Sequence, residues 1–449
     1  MAAGGSIRIQ REIPIRHDVD VFVAGGGPAG VAAAVAAGRQ GRKVFLAEGH
    51  SCLGGMGTAG LVPAFMTFGD GVNFLTAGVG REVLDRLRAG GGVGPEDKLG
   101  TSDYSSVGIK AEVLKRVYDE MVAQSGAGFA FHTLLIAVEV EGEAVSAAIC
   151  AAKSGIFAVK AKVYVDCTGD GDLAAWAGAP FEKGDEEGNL MPGTLCSLWA
   201  NVDWKTVRTS GLGSGNGRVE EAFKDGVFTH QDRHVPGMWR VGEDVGGGNI
   251  GHTYGVDGTD ERSLTEALVW GRKLILEYDR YYREYLKGFE GMQLMATGSL
   301  LGLRETRRIM GDYILCLDDF KSRAVFPDEI GRYCYPIDIH PSRPEKASFE
   351  KFMDEWKNLR YEKGESYGVP YRCLLPKGLS NVLVGGRCIS SDRYMQGSIR
   401  TMPGCYLTGQ ACGAAAAVAV ESGTDTRGVD VKELQQRLIK LGAHLPNAK

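Results

Sequence analysis

Apolar and polar positions alternate early in the chain in a pattern that predicts one βαβ unit. Residues 19–25 (VDVFVAG) form a nearly continuous apolar run, typical of a strand buried on both faces of a parallel sheet. A glycine-rich turn at 25–30 follows, and an alanine-rich stretch predicts a helix from about 28 to 40. A second apolar run at 43–47 (KVFLA) ends at Glu48 and predicts the second strand.

The same reading predicts further elements along the chain. Residues 110–125 form a predicted helix, and residues 131–167 alternate like a meander of short strands. The strand pattern returns at 380–386 (SNVLVGG), and an alanine-rich helix follows from Gly404 to Val420. A last amphipathic helix is predicted to begin near Asp430, which is a suitable N-cap residue. Residues 51–100 are rich in glycine pairs and are predicted to consist mostly of loops.

A change in composition divides the predicted chain. Between about 185 and 375, Trp, Tyr, His and charged residues become frequent and the βαβ pattern disappears. We therefore predict an α/β fold: a Rossmann-like nucleotide-binding domain, with a parallel sheet and a β-meander, plus an inserted α+β substrate domain. The predicted segments are 1–184 (nucleotide-binding domain, first part), 185–375 (inserted cap domain), 376–425 (nucleotide-binding domain, second part) and 426–449 (C-terminal helix).

Composition excludes several classes of protein. The chain has 65 glycines, about twice the usual share, which indicates tight turns and close approaches of the backbone to a ligand. A net charge of −5 without a basic tract weighs against a nucleic-acid partner. No window approaches 18 apolar residues, and the N-terminal stretch lacks the apolar core of a secretory signal, so we expect no membrane span and a cytoplasmic location.

The ten cysteines are scattered and no two are spaced as CxxC. Zinc ribbons, iron–sulfur clusters and thioredoxin-like motifs are therefore not expected, and the sequence predicts no metal site.

The turn after the first strand carries the first chemical signal. Gly25, Gly27 and Gly30 form a GxGxxG motif between a strand and a helix, where helix N–H groups can bind a pyrophosphate. Glu48 follows Gly30 at nearly the spacing expected for the carboxylate that binds an adenosine ribose. Both NAD and FAD use this motif.

Other segments favour FAD. A Gly-Gly pair at 54–55 follows the acidic residue, the meander ends in VYVDCTG at 163–169, and a third glycine-rich strand end lies at 384–387. With these segments the chain resembles the glutathione-reductase-type FAD-binding proteins.

More narrowly, the chain is similar to the FAD-dependent oxidoreductase family that includes the flavin domain of heterodisulfide reductase. This likeness depends on 53–60 (LGGMGTAG), 302–309 (GLRETRRI) and 370–415.

The resemblance implies that FAD binds in an extended form, with its adenosine at Glu48 and its flavin ring near the helix that opens at Gly404. A helix N-terminus there would stabilise negative charge on the reduced flavin, and Arg400 is expected to add positive charge or to be an ordinary surface arginine. The predicted cofactor-binding residues are Gly25, Gly27, Pro28, Ala29, Gly30, Glu48, Gly54, Gly55, Met56, Thr58, Leu135, Thr168, Gly169, Asp170, Gly386, Arg387, Arg400, Met402 and Pro403.

Differences between this sequence and the resembled families argue against several redox mechanisms. Gly57 occupies the place of the redox cysteine of the disulfide reductases, and Cys52 has no partner thiol, so a dithiol mechanism is not supported. His50 does not match the attachment histidine of covalent flavoproteins, so we predict non-covalent FAD. The cluster-binding cysteine runs of heterodisulfide reductase are absent. Residues 245–250 (VGGGNI) lack the context of a second nucleotide-binding motif and are predicted to form a loop.

The inserted segment is expected to supply the catalytic residues. His252 and Tyr254 lie in its richest polar stretch and can accept a proton, although a lone histidine is more often structural. Arg304 and Arg308 would share one face if a helix began there. We expect them either to bind a substrate carboxylate or to form a buried ion-pair network around Glu305. Tyr371 and Arg372, just before the last predicted strand, are further candidates. The predicted catalytic residues are His252, Arg304 and Tyr254.

The function expected from all these features is that of an FAD-dependent oxidoreductase. It would transfer a hydride between a small polar organic substrate and FAD and exchange electrons with a second, unknown acceptor. Two alternatives stay open at this point: a flavin-dependent tRNA-modifying protein and a flavoprotein that serves only in electron transfer.

Overall fold

The predicted nucleotide-binding pattern folds into one seven-stranded sheet. The structure is a computed structural model that describes residues 10–97 and 106–448, together with Gly5 and Ile7. The remaining terminal residues of the first and last predicted segments lie outside the described residues, and so do residues 98–105, which begin at the end of the predicted loop region.

Strands and helices of the described residues are numbered in chain order. The strands are β1 (Ile15–Ala24), β2 (Val44–Ala47), β3 (Ala64–Phe65), β4 (Val107–Gly108), β5 (Gly128–Ala130), β6 (Thr133–Glu141), β7 (Ala144–Ala152), β8 (Gly155–Asp166), β9 (Phe181–Lys183), β10 (Ser197–Ala200), β11 (Gly237–Arg240), β12 (Gly246–Asn249), β13 (Gln293–Thr297), β14 (Arg307–Ile309), β15 (Glu329–Tyr333), β16 (Tyr367–Pro370) and β17 (Val382–Val384). The helices are α1 (Pro28–Arg39), α2 (Val79–Ala89), α3 (Ala111–Gln124), α4 (Asp172–Trp176), α5 (Trp204–Thr209), α6 (Val219–Lys224), α7 (Glu261–Tyr285), α8 (Leu317–Ser322), α9 (Lys346–Asn358), α10 (Arg393–Ile399), α11 (Met402–Ser422) and α12 (Val431–Lys440).

The large sheet confirms the α/β prediction. Its strand order is β5-β2-β1-β8-β7-β6, and β17 lies beside the C-terminal end of β8. Strands β5, β2, β1, β8 and β17 run parallel, whereas β6, β7 and β8 form the predicted antiparallel meander. The carboxyl ends of β1, β2, β8 and β17 therefore meet at one edge, where ligands bind in open α/β sheets.

Small residues allow α1 and α11 to pack backbone against backbone beside this sheet. A Cβ atom on Gly409 would lie 2.1 Å from the carbonyl oxygen of Ala29, and one on Gly413 would lie 2.2 Å from that of Ala33. Both distances are shorter than any van der Waals contact, so these two positions require glycine. The alanine-rich sequence of both helices thus fixes the place of the α11 N-terminus relative to the turn before α1.

A second, separate hydrophobic cluster lies within the predicted insertion. It consists of buried residues between Trp199 and Met292, which pack under the four-stranded sheet of order β11-β12-β10-β13 and against α7. Most buried apolar residues from Ile309 onward pack instead with the main core. The division of the chain into domains stays a prediction.

Two local predictions in this region are wrong. Residues 246–249 form β12, an inner strand, and not a loop. Glycine in this strand lets Pro63 and Trp199 approach the backbone, because a Cβ atom on Gly247 would lie 2.4 Å from the Pro63 Cβ. Residues 304–308 do not begin a helix either, because Arg307–Ile309 pair with β9 as the strand β14.

Elsewhere the helices follow the apolar pattern. Asp430 caps α12 by accepting hydrogen bonds from the backbone N–H groups of Lys432 and Glu433, as predicted. In contrast, α2 interrupts the region that was predicted to be loop, and it buries Val79, Val83, Leu84 and Leu87. Among the described residues, no helix has the length and apolar character that crossing a membrane requires.

Candidate functional site

Three glycines shape the turn between β1 and α1, each for a different reason. Gly25 has a φ of +88°, and a Cβ atom there would lie 2.5 Å from the carbonyl oxygen of Cys167. A Cβ atom on Gly30 would lie 1.8 Å from the carbonyl oxygen of Gly25. A Cβ atom on Gly27 would meet nothing within 4 Å. Gly25 and Gly30 are therefore required for packing, whereas Gly27 keeps a space open above the turn.

The N-terminus of α1 faces this space without a protein cap. Gly27 is the N-cap residue, Pro28 is the first helical residue, and no side chain caps the helix. The first N–H groups of a helix, here including those of Ala29 and Gly30, have no partner within the helix and favour an anion.

Glu48 marks the adjacent end of β2. Its carboxylate is buried and accepts hydrogen bonds from the N–H groups of Gly26, at 2.7 Å, and His50, at 2.8 Å. A carboxylate accepts about four hydrogen bonds, so Glu48 keeps acceptor capacity for ribose hydroxyls. Leu135, predicted to contact the cofactor, pairs with Cys150 in the meander, whereas its neighbour Leu134 lies against Gly49.

The second glycine pair lies opposite the first turn. Gly54 donates its N–H to the carbonyl of Gly26 at 2.8 Å and has a φ of +105°. A Cβ atom on Gly55 would lie 3.5 Å from the Gly27 Cα, so the two glycines border the same space. Thr58 fixes the loop by donating its hydroxyl to the carbonyl of Leu53 at 2.6 Å. Met56 lies half-buried in the short 3₁₀ turn between them.

The side chain of Arg387, in the segment after β17, is hydrogen-bonded to the loop that follows β8. Its Nε donates to the carbonyl of Gly169 at 3.0 Å, its Nη1 donates to that of Leu303 at 2.8 Å, and its Nη2 pairs with the carboxylate of Asp170. Gly386, with a φ of +88°, lies next to Ala29.

Asp166 holds the loop that follows β8. It accepts hydrogen bonds from the N–H and hydroxyl groups of Thr168 and from the N–H of Ala174. Burial raises the pKa of this carboxyl to about 6, against the effect of those hydrogen bonds.

The N-terminus of α11 completes this surface. Met402 and Pro403 open the helix, which has no side-chain cap, and the Met402 Sδ would lie 2.7 Å from a Cβ atom on Gly57. Arg400, just before the helix, donates from Nη2 to the carbonyl and the carboxylate of Asp338.

Most of the predicted cofactor residues therefore meet at one edge of the sheet. We call them the FAD cradle: residues 25–30, Glu48, 54–58, 168–170, 386–387 and 402–403. An open glycine turn, two uncapped helix N-termini and a buried carboxylate at the end of β2 fit the phosphates, the flavin and the ribose of FAD.

The two residues considered for covalent attachment differ in their surroundings. Cys52 is buried, and its Sγ lies 3.8 Å from the Thr58 hydroxyl, as expected for a packed thiol. His50 is exposed. All ten cysteines are free thiols.

A group of polar side chains, two of them buried, lies within the inserted segment. We call His234, His252 and His340 the histidine cluster. The Nε2 of His252 lies 2.9 Å from the Nδ1 of His340. On the outer side of the pair, the Nδ1 of His252 lies 2.9 Å from Asp232, and the Nε2 of His340 lies 3.3 Å from Asp338.

Burial disfavours the charged form of two of these three rings. It lowers the pKa of His234 to about 3 and places the pKa of His340 well below its usual range, with further lowering by neighbouring positive groups. Burial raises the pKa of the Tyr254 hydroxyl far above its ordinary value, and Asp232 adds to this effect. At neutral pH, Tyr254 is therefore a hydrogen-bond donor and not a base.

His252 itself differs from the simple proton acceptor of the sequence prediction. It is 2% exposed, and both of its ring nitrogens face a partner, Asp232 on one side and His340 on the other. His252 is therefore one member of a hydrogen-bonded cluster and not an isolated imidazole.

Arg304 is a buried cation without an ion-pair partner in the described part of the chain. It donates from Nη1 to the carbonyl of Pro192 and to the hydroxyl of Thr194, both at 2.9 Å, and its Nη2 lies 3.5 Å from the Asn249 Oδ1. Burial, followed by the nearby Arg400, lowers the pKa of Arg304 to about 10.

Two other arginines are as deeply buried as Arg304, and each pairs with a carboxylate. Arg308 pairs with Glu305 and Arg332 pairs with Glu329. The ion-pair network around Glu305 thus exists, but Arg308 and Arg393 form it and Arg304 stays outside. Arg304 is therefore suited to hold an anion from outside the chain.

The remaining sequence candidates have structural contacts. The hydroxyl of Tyr371 donates to the carbonyl of Thr426 at 2.7 Å, and Arg372 pairs with Asp328. Sequence reasoning missed His234, His340 and the two aspartates beside them. A signal was present, since the pattern Asp-x-His occurs at both 232–234 and 338–340.

The open space at Gly27 allows a direct test of the FAD cradle. We expect Gly27→Ala to fold with unchanged or slightly higher stability, because Gly27 has a φ of −65° that alanine adopts without strain. The new methyl group would occupy the space left for the phosphates. The loss of a hydrogen bond to a charged group costs about 1.5–3 kcal/mol, so FAD affinity should fall about 10- to 150-fold.

Titration of the FAD-free protein, followed by flavin fluorescence, measures this affinity. Gly291→Ala is the matched control, since Gly291 is exposed and its added methyl would meet only the carbonyl oxygen of Asn201, at 3.9 Å. Wild-type FAD affinity in Gly27→Ala would contradict the proposed position of the phosphates.

Comparisons with known proteins agree with this geometry. The family model described as FAD dependent oxidoreductase matches residues 20–438. A geranylgeranyl bacteriochlorophyll reductase-like protein from Thermoplasma acidophilum is similar in structure, with a TM-score of 0.51 and 14% identity over 95% of this chain and 83% of that chain. The flavin-dependent brominase Bmp2 has a TM-score of 0.50 and 11% identity over 92% and 81% of the two chains. At such identities, the likeness shows the fold alone. No curated protein matches the chain.

Proposed function

The chain belongs to the family of FAD-dependent oxidoreductases, and from this premise we propose that it transfers a hydride between a small, anionic organic molecule and non-covalent FAD. When bound, FAD supplies a two-electron acceptor for hydride. One observation supports the choice of an anionic substrate: the buried guanidinium of Arg304, which has no ion-pair partner among the described residues, lies close to the histidine cluster. A group that can bind an anion and groups that can exchange protons therefore occur together.

The residues of this chain would have the following roles in the reaction. Arg304 holds the anionic group of the substrate, and Thr194 and Asn249 orient the guanidinium. An alcohol or amine that loses a hydride from carbon also loses a proton from oxygen or nitrogen, and the histidine cluster takes that proton. Tyr254 is suited to donate a hydrogen bond at the same place.

Anion binding by Arg304 also fits the energetics of burial. An isolated charge in a protein interior is costly unless it is paired, and Arg308 and Arg332 satisfy this rule with carboxylates of their own chain. A substrate carboxylate would satisfy it for Arg304, bidentately if its geometry allows. A planar guanidinium also prefers a carboxylate to a neutral hydroxyl group.

Anaerobic mixing of the FAD-loaded protein with a panel of hydroxy acids, amino acids and uncharged polyols tests the proposal. We expect an acid from the panel to bleach the oxidised-flavin absorbance, and the corresponding amide or alcohol to react far more slowly. Bleaching by the uncharged polyols alone would contradict the role of Arg304, and bleaching by no member of the panel would contradict the substrate class.

A further inference from the structure

Three imidazoles from distant parts of the chain converge in the histidine cluster. His234 precedes β11, His252 follows β12, and His340 follows β15. One ring nitrogen from each lies within 4.8 Å of the other two. All three lie outside the FAD cradle, so their convergence is not explained by the binding of FAD.

The rings of His252 and His340 lack a hydrogen-bond donor between their two facing nitrogens. A neutral imidazole has one N–H donor and one acceptor nitrogen. Asp232 beside the Nδ1 of His252, and Asp338 beside the Nε2 of His340, each favour an N–H on the outer nitrogen. The two inner nitrogens then present lone pairs to each other at 2.9 Å. Two lone pairs at this distance repel, so a positively charged species is needed between them.

The positively charged species between the two nitrogens is either a shared proton or a metal ion, and the surroundings of His234 distinguish the two. Its Nδ1 is buried and has no hydrogen-bond partner among the described residues. A proton shared by His252 and His340 would bridge only two nitrogens and leave the third unsatisfied. A metal ion can accept all three.

We propose that His234, His252 and His340 bind one divalent transition-metal ion of the Zn²⁺ class. Neutral imidazole is a good ligand for Zn²⁺. Tetrahedral Zn–N distances of about 2.0–2.1 Å place neighbouring ligand nitrogens about 3.3 Å apart, so the 2.9 Å separation of His252 and His340 would open by about 0.4 Å on binding. One nitrogen of His234 lies within 4.8 Å of the other two ligand nitrogens, but its ring stacks on that of His340 with centroids 4.3 Å apart, so His234 would turn out of this stack to complete the set.

The surroundings of the three rings also follow the pattern of metal sites. Metal-binding histidines usually donate their other N–H to a carboxylate, which fixes the orientation of the ring, and Asp232 and Asp338 lie in those positions. The two carboxylates offset the charge of the ion, while Arg304 and Arg400 oppose it. Three protein ligands leave a coordination position open for a polar group of a substrate.

This proposal goes beyond the proposed function, and zinc binding and flavin reduction are measured separately. A bound Zn²⁺ would occupy the ring nitrogens that take the substrate proton in the proposed function, so that role belongs to the metal-free protein. The test uses the FAD-loaded protein, treated with a chelator and then titrated with Zn²⁺ in a calorimeter. We expect one Zn²⁺ per chain, confirmed by mass spectrometry of the metal after gel filtration. Absence of stoichiometric Zn²⁺ from the wild-type protein would overturn the proposal and leave a shared proton between His252 and His340.

Variants then identify the ligands. Removal of a carboxylate that orients a ligand typically weakens metal binding about 10- to 100-fold, which we expect for Asp338→Asn. His234→Ala removes a ligand and should weaken it by more than about 100-fold. His230→Ala is the matched control, because His230 is exposed and lies four residues before His234.

Flavin absorbance and the unfolding temperature verify that each variant is folded. Wild-type zinc affinity in His234→Ala would overturn the assignment of the ligands. If His234→Ala does not fold, the comparison of Asp338→Asn with His230→Ala decides, and equal affinities in those two variants would overturn it as well.

Discussion

Replacing His252 by alanine should slow the reduction of the bound flavin by substrate about 10²- to 10⁴-fold, the range expected when proton transfer in the transition state is lost. The alanine removes the ring between Asp232 and His340, so the substrate proton has no imidazole to receive it. FAD content should not change, because the hydrogen-bond and ion-pair partners of His252 (Asp232, His340 and Tyr254) all lie outside the FAD cradle.

Anaerobic stopped-flow measurement of flavin bleaching tests this prediction. His230→Ala is the control, since it removes an exposed histidine of the same segment. His252→Gln keeps much of the side-chain volume and a polar partner for Asp232, and it should be as slow as His252→Ala if the imidazole itself is required. Wild-type rates in both His252 variants would show that the cluster takes no part in proton transfer.

The nucleotide-binding part of the fold could be predicted because its signals are local. The buried apolar run of β1, the glycine turn and the alanine-rich helix α1 lie within one short stretch, and each element follows from steric limits on a few residues. Gly25 and Gly30 illustrate this, because the positive φ of one and the missing Cβ of the other leave glycine as the only choice.

The wrong local predictions have tertiary causes. Residues 246–249 are glycine-rich, which is typical of a loop, yet they form an inner strand because Pro63 and Trp199 pack against the space that side chains would fill. Residues 304–308 are spaced for a helix, but pairing with β9 makes their end a strand. In both cases a partner distant in sequence outweighs the local preference.

The candidate active site was only half predictable for the same reason. His252 and Arg304 are visible as polar residues in a suitable segment, but one of the ring partners of His252, His340, lies 88 residues away. The unpaired state of Arg304 is also a tertiary property, since Arg308, four residues later, has a carboxylate partner. The sequence shows the residue types, and only the fold shows which charges are left without a partner.

The second large effect is expected on substrate binding when Arg304 is replaced. We expect Arg304→Lys to weaken binding of the anionic substrate about 10- to 150-fold, the equivalent of losing one charge-assisted hydrogen bond worth about 1.5–3 kcal/mol. Lysine keeps the positive charge, but its ammonium group cannot make the two-pronged contact of a planar guanidinium. It also cannot donate to Pro192 and Thr194 and still present a second N–H edge to the substrate.

The measurement compares dissociation constants for the acid that bleaches the flavin and for its amide, in the wild-type and variant proteins. Arg304→Lys should lower affinity for the acid much more than for the amide, because only the acid carries the charge that the guanidinium binds. Arg308→Lys is the matched control: its partner is Glu305, so it should lower stability without changing the preference for the acid. Equal losses for acid and amide in Arg304→Lys would show that Arg304 is structural and that the substrate's charge, if any, is bound elsewhere.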